Sequence, residues 1–213
     1  MSPSTNPVTP PAPRPYADAP RLPEGELVDP RALLGSSTAP IELEIGPGRG
    51  GFIFERLAAD PRVRILGLEV RRKWATIVDR RLASLGYAAR GRVLAEDARD
   101  ALPRFPSACI STAFIHFPDP WWKKRHQKRL VLAAPLVSEL ARILVPGGEV
   151  FVQTDVAERA GHYEGLFSLS DAFTPFLAEA RRADNPFGAQ SPRERRAVSD
   201  GLPIHRLHYR LKT

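Results

Sequence analysis

Ile41-Glu42-Leu43-Glu44-Ile45-Gly46-Pro47-Gly48-Arg49-Gly50-Gly51 is the stretch on which the reading of this chain turns. Its first five residues form an apolar run carrying two acids, which reads as a strand. The glycine-dense turn that follows leads into a short helix from Phe52 to about Ala58. The same alternation continues downstream: strands at Arg64–Val70, Gly91–Ala95, Ala108–Phe117 and Glu149–Gln153 are separated by helical spacing over Trp74–Leu85 and Leu130–Leu144. The second of these helices is expected to stop at Pro146-Gly147-Gly148. Strands separated by helices imply right-handed crossovers and a mostly parallel sheet with helices on both faces. Ligands of such sheets sit at the carboxyl ends of the strands. Ile204–Leu211 alternates apolar with polar or basic residues and is expected to be a last strand, antiparallel at an edge.

The turn admits two chemical readings. Gly46, Gly48 and Gly51 fit the dinucleotide fingerprint, in which glycines let the backbone approach a pyrophosphate. Gly46, Gly48 and Gly50, with Glu44 two residues ahead, fit an acid-x-Gly-x-Gly-x-Gly pattern instead. That second pattern resembles class I S-adenosylmethionine-dependent methyltransferases, whose cofactor carries an ammonium and a sulfonium that an acid at the end of the first strand can serve. A plain tight turn would also satisfy either pattern. Glu69 ends the second strand, where a carboxylate can accept from two ribose hydroxyls of either cofactor. Asp97, in Glu96-Asp97-Ala98 after the third strand, resembles the methyltransferase position that accepts from the adenine amino group.

Phe117-Pro118-Asp119-Pro120-Trp121 follows the fourth strand and runs into Trp122-Lys123-Lys124-Arg125-His126-Gln127-Lys128-Arg129. The two prolines fix the backbone of Asp119 and deny it helical geometry. The cations after it, beside two tryptophans, combine phosphate-binding charge with stacking surface, as an RNA reader requires. Trp121 is equally suited to be a core anchor, and His126 to a contact or structural role rather than that of a general base.

This stretch closely resembles the signature of the bacterial tRNA (guanine-N7)-methyltransferase family. Gln153-Thr154-Asp155 and Ser191-Pro192-Arg193-Glu194 look like further family motifs in the expected order. The resemblance covers about residues 41 to 211. It implies a Rossmann-like class I methyltransferase fold with a mostly parallel seven-stranded sheet, S-adenosyl-L-methionine as cofactor, and the variable-loop guanine at position 46 of tRNA as target. By resemblance, Asp119 is the catalytic residue. Glu44, Gly46, Gly48, Gly50, Glu69, Asp97 and Asp119 would line the cofactor site, and Lys123, Asp155, Ser191 and Glu194 would contact substrate. Lys124, Arg125, His126, Lys128 and Arg129 are the expected RNA contacts. The family has Thr-x-x-Glu where this chain has Ser191-Pro192-Arg193-Glu194, so hydroxyl and acid are kept while Pro192 stiffens the backbone between them.

Composition agrees with an RNA partner. The 213 residues carry 31 Lys plus Arg against 24 Asp plus Glu, a formal charge of +7, which favours a polyanion. Ten of the 22 prolines lie in residues 1–40, a segment with a net charge of −1, so the basicity belongs to the rest. We therefore expect a proline-rich, disordered tail over 1–38 and a methyltransferase domain over 39–213. Cys109 has no partner for a disulfide, which fits a reducing cytoplasm. No apolar run approaches a membrane span or a signal peptide, and the five scattered histidines suggest no metal site. A nicotinamide-dependent oxidoreductase and a non-catalytic RNA-binding protein on a methyltransferase fold are the competing readings. The first leaves residues 117–129 unexplained, and the intact acids argue against the second.

Overall fold

The first strand expected from the sequence, β1 (Ile41–Ile45), is buried along its whole length and anchors a sheet of eight strands. The computed structural model describes residues 15–35, 38–118 and 132–213. In chain order the elements are β1, α1 (Gly51–Ala59), β2 (Ile65–Leu68), α2 (Arg72–Ser84), β3 (Gly91–Leu94), α3 (Ala98–Ala101), β4 (Ile110–His116), α4 (Ala134–Ile143), β5 (Leu144–Thr154), α5 (Ala157–Ser168), β6 (Phe173–Pro175), β7 (Arg181–Arg182), α6 (Pro192–Ser199) and β8 (His205–Leu211). The strand order is β3-β2-β1-β4-β5-β8-β6, with β7 also paired to β8. Strands β1 to β5 are parallel, and β8 is antiparallel to β5.

Two cores flank the sheet. Phe52, Ile53 and Leu57 of α1 and Val78 and Leu82 of α2 are buried on one face. Leu136 and Leu140 of α4, Tyr163 and Phe167 of α5, and Leu102 and Phe105 are buried on the other. Strand register determines which residues share a face, because side chains alternate along a strand. Leu43, Ile115, Val152 and Leu207 lie on the α4–α5 face and belong to its hydrophobic core. The opposite face receives Glu42, Glu44, His116, Gln153, Arg206 and His208 together with Phe114 and Phe151. Its charges are paired: Arg56 of α1 meets Glu42 at 2.6 Å, and His208 meets Glu149 at 2.9 Å. Burial pushes the Glu42 carboxyl up, while the Arg56 guanidinium opposes that rise.

Three expectations are revised. β8 is not an edge strand: it pairs β5 over Glu149↔Arg210 to Thr154↔His205 and carries β6 and β7 on its other side. Its alternation suggested a half-solvated strand, but Leu207 and Tyr209 enter the apolar core while Arg206 and His208 have buried or part-buried acids as partners. Next, Pro146-Gly147-Gly148 lies within β5, after α4 has already ended at Ile143. There the register against β4 slips between Ile110↔Leu144 and Thr112↔Glu149, which is the signature of a bulge.

Third, residues 15–35 dock on the domain instead of standing apart from it. Ala19, Leu22, Val28 and Leu34 are buried. Ala95 N donates to Pro20 O at 2.7 Å, Val28 N donates to Arg104 O at 2.8 Å, and Arg21 grips Glu96 at 2.9 and 3.0 Å. The prolines keep this segment out of regular structure, apart from one short turn at Ala32–Leu34. Apolar residues spaced between them are what hold it down.

Candidate active site

At the carboxyl edge of the sheet, β1 passes into a loop whose Gly46, Gly48 and Gly50 all take the left-handed conformation, with φ of 76°, 56° and 74°. Glu69, at the end of β2, stabilises that loop. Its carboxylate accepts from Gly48 N at 2.9 Å and from Arg71 N at 2.9 Å, tying the loops after β1 and β2 together. Arg71 Nε also donates to Glu69 Oε1 at 3.2 Å, so of the carboxylate's roughly four lone-pair directions about one remains for a ligand hydroxyl. Gly51 serves a different purpose. A Cβ there would lie 2.4 Å from Pro192 Cγ and 2.6 Å from Pro192 Cδ, so the missing side chain lets α6 close against the start of α1. The third glycine of the dinucleotide pattern is thus occupied by protein packing.

Ser191 caps the start of α6, its hydroxyl accepting from Glu194 N at 3.1 Å. Pro192 takes the first helical position, where its fixed φ is favourable and its missing N–H costs nothing. Pro192 therefore reinforces the helix start.

These loops enclose a cavity of about 410 Å³ whose walls include Glu44, Arg49, His116, Phe117, Thr154, Asp155, Ser191 and Arg193. Glu44 is almost wholly buried, with its Oε1 2.8 Å from His116 Nδ1. Phe117, next along from His116, has φ 46°, a region costly for a bulky residue, and its N donates to Gln153 O at 2.8 Å. Strain of this kind where the chain leaves β4 suits a site that must aim the segment after it. Asp155 faces Arg193, whose Nε donates to its Oδ2 at 3.1 Å.

Of the expected cofactor and substrate residues, Glu44, Gly46, Asp155 and Ser191 line one cavity. Asp97 lies at the same edge after β3 but outside it: it caps α3 by accepting from Arg99 N at 2.9 Å, and the Arg99 guanidinium holds its carboxyl below the usual range. Glu194 departs from the expected substrate pair. It is fully buried, with its carboxylate taken by Asn185 Nδ2 at 2.9 Å and by Arg206 at 2.9 and 3.1 Å, and it does not reach the cavity. The hydroxyl and acid of the motif thus part ways, one to the site and one to the packing behind it. Asp119, Lys123, Lys124, Arg125, His126, Lys128 and Arg129 lie outside the described residues.

The sequence reading did not single out His116 or Arg49, which line the cavity. His116 stood two residues before Pro118 in the strand leading to the Asp119 motif, the one available signal for it. Arg49 lay inside the glycine loop, where only the glycines were read. Among the described residues, no group of three or more acids, histidines or cysteines could hold a metal, and no helix is long and apolar enough to cross a membrane.

A buried carboxylate in the cavity wall repels a pyrophosphate and suits a cationic ligand end. The 16S rRNA methyltransferase KamB superposes with a TM-score of 0.61 at 17% identity, covering 89% of this chain and 96% of that one. An rRNA methylase from Streptococcus thermophilus gives 0.53 at 13% identity, covering 86% and 92%. At such identities the likeness concerns the fold, which is that of the Rossmann-like methyltransferases.

Sequence comparison narrows the class. The family model described as putative methyltransferase matches residues 38–207. A tRNA (guanine-N(7)-)-methyltransferase of Parasynechococcus marenigrum is 36% identical over 191 residues, covering 87% of this chain and 80% of the relative. One of Myxococcus xanthus is 34% identical over 170 residues, covering 79% and 82%. The chain belongs to the tRNA (guanine-N7)-methyltransferase family.

Proposed function

We propose that this protein transfers the methyl group of S-adenosyl-L-methionine to N7 of a guanine in tRNA, the variable-loop guanine at position 46, in the cytoplasm. The observation that carries the reading is the buried Glu44 carboxylate in the wall of a cavity at the carboxyl edge of the sheet, in a chain of this family. Glu44 and the Gly46–Gly50 loop would hold the amino-acid end of the donor, Glu69 its ribose and Asp97 its adenine. The donor supplies an electrophilic methyl on a sulfonium.

Guanine N7 has an in-plane lone pair and no proton to lose, so its attack forms the N–CH3 bond as the S–CH3 bond breaks, and no strong base is needed. The protein's work is then positioning and charge stabilisation. Asp119, fixed between two prolines, would steady the positive charge that passes into the purine. Lys123, Asp155 and Ser191 would contact the substrate, and the cations from Lys124 to Arg129 would follow the phosphate backbone.

Incubating the protein with unmodified tRNA and labelled methyl donor, then mapping the modified base, tests reaction, substrate and position together. Label in N7-methylguanine at the variable loop is the expected result. Turnover without RNA, or tight binding of NAD in place of the methyl donor, would overturn the reading. Asp119→Ala is expected to abolish transfer while leaving tRNA affinity within a few fold.

A further inference from the structure

His116 ends β4 with its side chain only 3% exposed, facing a Glu44 side chain that is 2% exposed. Nδ1 stands 2.8 Å from Glu44 Oε1. An ionised carboxylate can only accept, so the hydrogen of this contact belongs to Nδ1. The ring cannot easily turn away, since Phe52 meets it edge-on at 4.4 Å between centroids and Phe114 and Phe151 stand at 5.7 and 6.3 Å. The pair is nevertheless incomplete. Among the described residues, Glu44 Oε2 is buried with no hydrogen-bond partner, as is His116 Nε2, and both residues line the cavity. Buried polar atoms are rarely left unpaired in a folded protein. Here the orphaned carboxylate oxygen belongs to a residue whose other oxygen is firmly held.

We infer that His116 is a positioning residue for the methyl donor: by holding Glu44 Oε1, its Nδ1–H presents Oε2 to the donor's ammonium group. This rests on the proposed function, which places the donor's amino-acid end at Glu44. Without the imidazole donor, Glu44 Oε1 would face an apolar ring cage with nothing to hold it, and the carboxylate would be free to rotate. Rotation removes the charge-assisted hydrogen bond meant for the ligand. The loss belongs to binding, because His116 touches Glu44 and not the reacting atoms.

The test compares three substitutions by calorimetric titration with S-adenosylmethionine and S-adenosylhomocysteine, alongside steady-state kinetics on tRNA. His116→Phe keeps a ring among Phe52, Phe114 and Phe151 but deletes the donor. His116→Asn keeps an N–H near the Nδ1 position, and His116→Gln moves it toward Nε2. We expect His116→Phe and His116→Gln to weaken binding of both ligands about tenfold and to raise KM for the donor in step. kcat at saturating donor and KM for tRNA should stay within twofold, and His116→Asn should restore affinity to within threefold of the parent. Unchanged affinity in His116→Phe, equal losses in Asn and Gln, or a loss expressed in kcat would overturn the inference. If His116→Phe does not fold, the Asn and Gln comparison still decides. Glu44→Gln separates the two levels: parental affinity in that variant sinks the donor assignment itself, whereas weak binding there with normal binding in His116→Phe sinks only the role of His116.

Discussion

Replacing Gly51 with alanine isolates one contact on which the site's geometry depends. Gly51 opens α1 in ordinary helical geometry, so the change carries no left-handed strain. Alanine in a helix is favoured over glycine by about 1 kcal/mol. Against that, the new Cβ would stand 2.4 and 2.6 Å from Pro192 Cγ and Cδ, distances that real Cβ atoms do not tolerate. The proline ring cannot swing aside as a long side chain would, so α6 must shift. Overpacking costs about 1–3 kcal/mol; two stiff ring atoms well inside 3.0 Å put this case in the upper part of that range, about 2–3 kcal/mol, and subtracting the propensity gain leaves a net loss of about 1–2 kcal/mol. For a chain of this size each kcal/mol lowers Tm by about 2–4 °C, so scanning calorimetry should show a drop of about 2–8 °C. Because Ser191 and Arg193 ride on the displaced segment, KM for tRNA should rise as well. In a Pro192→Ala background the obstructing ring atoms are gone, and Gly51→Ala should then be neutral or stabilising. A Gly51→Ala protein as stable as the parent, or a loss of the same size with and without Pro192, would refute the reasoning.

Other consequences follow from burial and pairing. Arg206→Leu strands the fully buried Glu194 carboxylate and should cost about 3–5 kcal/mol in urea unfolding, and a loss under 1 kcal/mol would show the pair to be dispensable. Burial raises the Cys109 thiol to about 11 from an ordinary 9.0. Its contribution to stability is therefore complete below pH 9 and falls away as pH rises toward 11, a slope that Cys109→Ala should reduce, and the native thiol should react with a disulfide reagent far more slowly than in urea. Asp97→Ala removes the cap of α3 and should cost about 1 kcal/mol, whereas Asp97→Asn, which keeps the cap, should cost less. Since Arg99 lowers the Asp97 carboxyl, its ionic share of stability is present above the unfolded value near 4 and disappears as acid titrates the folded group, a dependence the Asn variant should lack. Replacing Lys124 and Arg125 together with alanine should weaken tRNA binding and flatten its salt dependence.

Hydrophobic periodicity carried the parallel strands and the helices between them, because each must bury an apolar stripe and writes that need into its residues. It could not carry what depends on partners distant in sequence. Arg206 and His208 look like solvent-facing residues until Glu194 and Glu149 are brought beside them. Glu194 looked like half of a ligand-binding pair because a motif records spacing, and spacing along the first turn of a helix does not say which way a carboxylate points. The segment from Tyr16 to Gly35 read as tail because proline content dominates its composition, while Ala19, Leu22 and Val28, which pin it, are single apolar residues with no period. Glu44 was marked by its place before the glycines, but its contact with His116 was not, since 72 residues separate the two.

β8 comes late in the chain yet lies inside the sheet, and among the described residues β6 and β7 pair with nothing else. During synthesis the five parallel strands can assemble as they emerge, but β5 then presents a bare edge, and Arg206 has not arrived to neutralise Glu194. The cavity, whose wall includes Ser191 and Pro192 at the start of α6, can therefore form before the strand that locks α6 in place. A nascent chain stalled before His205 would have an open strand edge and an unneutralised buried acid, a form suited to capture by chaperones and not yet fit for catalysis.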